Sequence, residues 1–95
     1  MSTNGDLVEV RLFGPLRTLV GRKSVTLPYV GLKIDDALAR FVDDHTDSVR
    51  SMLFDSQGRR RRSIILLLND HTVEDEAQRL RAGDVISVLL PLAGG

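Results

Sequence analysis

Five apolar residues, Ile34, Ala37, Leu38, Phe41 and Val42, recur at i, i+3, i+4, i+7 and i+8, the spacing of one helix face. It is the one clear helical stripe in a chain otherwise patterned for strands. A helix with a single apolar face must bury it, and the other apolar residues fall in short runs suited to a sheet. The spacing predicts a helix from Lys33 to about His45. Asp35 and Asp36 fall in its first turn, where the helix dipole favours negative charge, although a capping serine or threonine is missing. Asp43 and Asp44, near its end, sit against the dipole.

The strands are read from alternation. From Leu7 to Phe13, Val8, Val10 and Leu12 fall on one side and Glu9 and Arg11 on the other, a period of two. Gly14-Pro15 interrupts this strand, and Leu16 to Val20 reads as a short helical or irregular link before a turn at Gly21-Arg22. Ser24 to Leu27 alternates again, with Val25 and Leu27 facing the core, and Pro28 ends it. The first two strands are expected to pair as a loose hairpin. After the main helix, Asp47 to Phe54 suits a weaker, shorter helix, and Ser56-Gln57-Gly58 a loop.

Ile64-Ile65-Leu66-Leu67-Leu68 has the length and composition of a strand covered on much of both faces. Asn69-Asp70 turns the chain, Thr72-Val73 adds a brief edge strand, and Arg81-Ala82-Gly83-Asp84 turns it into a last strand, Val85 to Leu90. The order is strand, strand, helix, strand, short strand, strand. The fold class is therefore α+β, with a mixed sheet of four to five strands and one main helix packed across one face.

A chain of 95 residues fits one domain that buries roughly 60 to 65% of its unfolded surface. Residues 1–6 read as a mobile leader without the basic and apolar regions of a secretory signal, 7–91 as the domain and 92–95 as a flexible tail; a cytoplasmic protein without a membrane partner is expected. Thirteen basic and thirteen acidic residues cancel, which argues against nucleic acid as a partner of the whole molecule. The absence of cysteine excludes a thiolate metal site and a cysteine nucleophile. His45 and His71 have no metal-ligand spacing and read as surface residues, so no metal site is expected.

The run Val85 to Ala93 is followed by Gly94-Gly95. Glycine leaves a thin tip able to enter a narrow channel, and a terminal carboxylate with a pKa of roughly 3.5 is ionised at neutral pH and able to act as a nucleophile. Taken alone, two terminal glycines suit a frayed end equally well.

Phe13-Gly14-Pro15-Leu16-Arg17-Thr18-Leu19-Val20-Gly21, the helix from Ile34, Leu68-Asn69, Leu80-Arg81-Ala82-Gly83-Asp84-Val85 and Leu90-Pro91-Leu92-Ala93-Gly94-Gly95 follow one another as in small ubiquitin-like sulfur carriers. The chain resembles the small subunit of molybdopterin synthase and its relatives over nearly everything after Asp6, most weakly from Asp47 to Arg62. The resemblance implies a β-grasp fold with the last strand parallel to the first in the sheet centre. It also implies a carrier, not an enzyme, that binds no cofactor itself. Its Gly95 carboxylate would be adenylated by a separate E1-like enzyme using ATP, then converted to a thiocarboxylate. The sulfur would go to molybdopterin synthesis through the large synthase subunit, or to another acceptor. The alternative, a ubiquitin-like modifier, would use the same activated carboxyl to form isopeptide bonds with protein lysines.

Alternation also suggests a docking face. With Val8, Val10 and Leu12 inward, Phe13 points to the other side, and with Ile86, Val88 and Leu90 inward, so does Leu89. By the resemblance both stand at partner-contacting positions, together with Pro91 and Ala93 near the tail, while Thr72 stands where an apolar contact is expected. Scattered surface apolar residues are the plain alternative. Arg59-Arg60-Arg61-Arg62, a run the family does not share, reads first as a solvated loop keeping the following strand soluble, with RNA or an acidic groove as the other readings. A noncatalytic binding module working through these arginines is the third functional alternative.

Overall fold

The computed structural model describes residues 7–29, 31, 33–73 and 78–90. Its elements are β1 (Leu7–Leu12), α1 (Gly14–Val20), β2 (Ser24–Pro28), α2 (Ile34–Asp43), α3 (Asp47–Leu53), β3 (Ile65–Leu68), β4 (His71–Thr72) and β5 (Val85–Leu89). They build a five-stranded sheet in the order β2-β1-β5-β3-β4. β1 and β5, the first and last strands, lie side by side and parallel, with Val10 opposite Ile86 and Leu12 opposite Val88. The other pairings are antiparallel. This is the β-grasp arrangement that the sequence led us to expect.

The core lies between one sheet face and the helices. Val8, Val10 and Leu12 of β1, with Ile86 and Val88 of β5, are at most 1% exposed, and all five apolar residues of the α2 stripe are fully buried. The 3.6-residue period of the helix and the two-residue period of the strands thus point at one another. Leu16 of α1 and Val49 and Leu53 of α3 complete the layer, so two short helices cover the sheet beside the main one among the described residues. Burial of these side chains fixes α1 and α3 as helices although each has only seven residues, too few to be stable alone.

Local chemistry ends the elements where the sequence suggests. α1 stops at Gly21, whose φ of 81° is the left-handed conformation a helix C-cap favours. Lys33 caps α2 through its backbone, its N–H donating to the Asp36 carboxylate at 3.3 Å. At the β3–β4 turn, Asn69 and Asp70 both have positive φ (51° and 72°), tolerable for these short polar side chains.

Asn69 also staples β3 to β5: its Oδ1 accepts from the Val85 N–H and its Nδ2 donates to Asp84 Oδ1, both at 3.0 Å. Asn69→Ala removes both bonds and the residue's tolerance of positive φ. It is expected to cost about 1–3 kcal/mol, read as a lower urea midpoint at unchanged slope. A cost near zero would show that water replaces the staple.

Three expectations are corrected. β3 is not covered on both faces: Leu66 is 2% exposed, whereas Ile65 is 46% exposed, because only one face of the sheet carries helices. His45 is half-buried rather than a surface residue; its ring packs on Phe41 at 4.6 Å between centroids and its Nδ1 lies 2.8 Å from the Phe41 carbonyl oxygen. Val25 is only partly buried at the core's margin. The expected leader 1–6 lies outside the described residues.

Candidate functional site

The uncovered sheet face carries the candidate site. Directly opposed residues on neighbouring strands share a face, so the register assigns each outward residue a row. One row crosses the sheet as Ser24, Arg11, Ser87, Leu67 and Thr72. Ser87, only 5% exposed, is the small residue at its centre. Arg11 donates from Nε to Glu9 at 3.0 Å on the same strand, making this part of the face polar.

The next row is apolar. Ile65 stands opposite Leu89 across the β3–β5 pair. Leu12 stands opposite Val88 across β1–β5, so the following residues, Phe13 and Leu89, leave those strands side by side. Phe13 is 38% exposed at the N-cap of α1, and Leu89 is half-buried. Phe13 and Leu89 are thus brought to one end of the sheet as the alternation suggested. Ile65 joins them, a residue the sequence reading placed inside. Its signal was its parity: Ile64, Leu66 and Leu68 form one set and Ile65 and Leu67 the other, but no polar residue marks which set faces out.

Thr72 lies on the same face in the preceding row, exposed beside Leu67. The patch stands where β5 gives way, through Leu90, to residues 91–95. Pro91, Ala93, Gly94 and Gly95 fall outside the described residues.

The four arginines lie in a hydrogen-bonded turn, and Arg59, Arg61 and Arg62 are exposed, as the reading of a solvated surface segment expects. Phe54 and Arg60 form a β-bridge, the Asp55 N–H donates to the Arg59 carbonyl at 2.8 Å and the Arg61 N–H to the Leu53 carbonyl at 2.9 Å. The Asp55 carboxylate accepts from the Arg59 and Gln57 N–H groups, each at 2.9 Å. The Arg59 N–H, the Gln57 N–H and the nearby Arg59 and Arg61 guanidinia hold the Asp55 carboxyl below its ordinary range, against a smaller effect of desolvation. Bonds to an ionised carboxylate persist above its pKa, so this clamp is present at neutral pH and lost as pH falls through the lowered value.

The arginines point different ways. Arg60 is only 13% exposed and reaches Asp35 of α2 at 3.8 Å, Arg59 lies 4.0 Å from Asp55, and Arg61 donates from Nε to the Ser51 carbonyl at 2.7 Å. With Asp35 and Ala39 of α2 they line an open cleft beside the helix layer. Arg62 is exposed, three residues before Ile65.

Among the described residues no cluster of three or more His, Asp or Glu is arranged for a metal ion, and no helix is long and apolar enough to cross a membrane.

The ThiS family model matches residues 10–95, nearly the whole chain. No curated protein matches it. Among solved structures, the small archaeal modifier protein 1 (SAMP1) of Haloferax volcanii superposes with a TM-score of 0.85 at 26% identity, covering 94% of this chain and 99% of that one. The complex of subunits 1 and 2 of the molybdopterin-converting factor from Helicobacter pylori includes a chain with a TM-score of 0.59 at 25% identity, covering 94% and 99%. Urm1 of Trypanosoma brucei gives a TM-score of 0.78 over 100% of both chains; at 20% identity it bears on the fold alone.

Proposed function

The chain belongs to the ThiS family of ubiquitin-like sulfur carriers, and from that membership we propose that it works as a carrier whose C-terminal carboxylate is activated by another protein. The observation that carries this reading is the apolar row of Phe13, Leu89 and Ile65 at the end of β5, next to the segment that runs to Gly94-Gly95. A tail needs a docking surface beside it, because attack requires the carboxylate to be held in line with its target.

In the proposed sequence a Gly95 carboxylate oxygen attacks the α-phosphorus of ATP in an adenylating enzyme, forming an acyl-adenylate and expelling pyrophosphate. Hydrosulfide released by a separate donor then attacks the acyl carbon and displaces AMP, and the terminal carboxylate becomes a thiocarboxylate with loss of one proton. The carrier contributes the nucleophilic carboxylate, a tail of small residues and the docking face, while the partner supplies the phosphate site and the catalysis. Molybdopterin synthesis, through a large synthase subunit, is the recipient the likeness to the molybdopterin-converting factor favours.

A second reading is favoured by the likeness to the Haloferax modifier protein: the same adenylate acylates a lysine ε-amine, giving an isopeptide bond and AMP. The two readings part only at the acceptor.

Intact-mass measurement tests the proposal. After incubation with an adenylating enzyme, ATP and a sulfur donor, the chain is expected to gain the mass difference between sulfur and oxygen. Covalent conjugates of higher mass would assign it to the modifier reading, and an unchanged mass with active enzyme would overturn both. Ile65→Asp, which places a charge in the apolar row without touching the core, is expected to raise the KM for the carrier in adenylation about tenfold or more with kcat nearly unchanged. An unchanged KM would remove Ile65 from the docking surface.

A further inference from the structure

On the helix side of the sheet, away from the apolar row, Arg59 to Arg62 line a cleft together with Ala39 of α2, Phe54 and Gly58. A smaller hollow shares Ala39, Phe54, Asp55 and Gly58 with it and adds Arg50 of α3. The two make one groove between the turn and the helices. Five arginines and two aspartates, Asp35 and Asp55, line it, in a chain of zero net charge.

Every cation among these lining residues is an arginine, although the chain also has Lys23 and Lys33. A guanidinium presents a planar fork of donors that meets a carboxylate with two bonds at once, which an ammonium does not. The forks are set in advance. The Phe54–Arg60 bridge and the Arg59 N–H on the Asp55 carboxylate fix the turn, and Arg61 Nε is held on the Ser51 carbonyl at 2.7 Å. Arg60 reaches Asp35 of α2 at 3.8 Å, while Arg59 and Arg62 stay exposed. Preorganisation of this kind lowers the ordering entropy lost on docking.

We propose that this groove is a docking site for an acidic segment of a protein partner, with carboxylates on the arginines and an apolar side chain against Ala39 and Phe54. It is a surface separate from the apolar row, and the inference does not depend on the carrier reading. An apolar centre with charged borders is how protein interfaces are built.

A peptide fits the groove better than RNA. The adjoining hollow, which shares Ala39, is lined by Asp36, Asp43 and Asp44 with Arg40 as its cation. A phosphate backbone running on from the arginines would meet these carboxylates, whereas a peptide can change sign from one residue to the next. Phe54 is half-buried and packs against the core, so its ring is a poor platform for stacking bases.

The test measures fluorescence anisotropy of a fluorescein-labelled peptide, Glu-Asp-Leu-Glu-Glu-Leu-Asp-Glu, titrated with the full chain. Saturable binding is expected at low salt, weakening about tenfold between roughly 0.05 and 0.5 M salt as the charges are screened. A peptide with glutamine and asparagine in place of the acids should not saturate below about 1 mM. One with serine in place of leucine should bind at least about threefold more weakly. Arg62→Glu reverses an exposed charge and is expected to weaken binding about fivefold or more. Ala39→Glu, at an exposed helical position, puts a carboxylate into the groove with every arginine in place, and about a tenfold loss is expected. Circular dichroism checks that both variants fold. Arg22→Glu is the control; Arg22 is exposed in the turn before β2, at the sheet edge remote from β3, and its reversal should leave affinity within about twofold.

Failure of the acidic peptide to saturate below about 1 mM overturns the proposal. So does unchanged affinity in Arg62→Glu or in Ala39→Glu, or an equal loss in Arg22→Glu, which marks a bulk charge effect. Equal affinity for either altered peptide overturns it too, because one of the two chemistries would then be idle. Displacement of the peptide by oligouridylate at lower concentration than by unlabelled peptide gives the groove to RNA and overturns it. The measurement uses neither ATP nor an activating enzyme, so its failure leaves the carrier reading untouched.

Discussion

Removing Gly95 is expected to abolish adenylation and sulfur loading while leaving the folded domain as stable as before. The shortened chain still ends in a glycine carboxylate, so the chemistry of the group is unchanged and only its position differs. One residue of extended chain spans about 3.3–3.6 Å, whereas reacting atoms must approach to about 3–3.5 Å in line. The new terminus therefore falls one residue short of the α-phosphorus, and a misplacement of even ~1 Å can cost about 100-fold. Gly95 has no side chain to bring to the core, whose last member among the described residues is Val88, so the urea midpoint should match that of the full chain. Pyrophosphate exchange and intact mass read the loss. Loading of the shortened chain at more than about a tenth of the normal rate would show that the tail is not held in register, and would remove Gly95 from the proposed role.

Phe41→Ala is expected to have the largest effect on stability of any single core substitution. Phe41 is the bulkiest fully buried residue among those described and belongs to the α2 stripe that faces the sheet, with His45 packed on its ring. Truncating a buried phenylalanine costs about 3–5 kcal/mol, part from lost transfer energy and part from the cavity left between helix and sheet. Against a total stability of about 5–15 kcal/mol, that removes a large share. For a domain of this size each kcal/mol corresponds to roughly 4–8 °C in Tm, so thermal unfolding is a sensitive readout. Phe41→Leu keeps most of the volume and should lose less than half as much. If the alanine variant lost under 1 kcal/mol, the layer would have to collapse around the gap, and the description of a tightly packed helix–sheet contact would fail. Because the sheet face with the apolar row is on the other side, variants that remain folded should keep their docking affinity.

The two expectations test separate parts of the molecule, and they differ in how far the sequence carried them. The α2 stripe was legible because helical periodicity is local: five apolar residues at the right spacing leave little freedom about which side turns inward, and all five are buried. The alternation in β1 worked for the same reason, since Glu9 and Arg11 between Val8, Val10 and Leu12 mark the outer face. β3 offered no such mark. Five consecutive aliphatic residues read alike on both parities, so Ile65 could be placed only once strand order had left its face without a helix. The arginine run read as a solvated surface, and Arg59, Arg61 and Arg62 are exposed; the reach of Arg60 to Asp35 followed only from the turn that the Phe54–Arg60 bridge closes.

Residue spacing was therefore enough to place most of the elements and the inner faces of α2 and β1. Each depends on the identity and spacing of neighbouring residues, which act through backbone geometry over a few ångströms. Alternation left the pairing of the strands open: the resemblance implied the last strand beside the first, and the fold sets β1 and β5, more than seventy positions apart, side by side and parallel. Packing alone set Ile65 beside Leu89 at the end of the sheet where Phe13 follows β1. Those neighbours are chosen by the burial of one shared core, which fixes strand order and register together. A surface made of Phe13 after β1, Ile65 of β3 and Leu89 of β5 exists only after that choice.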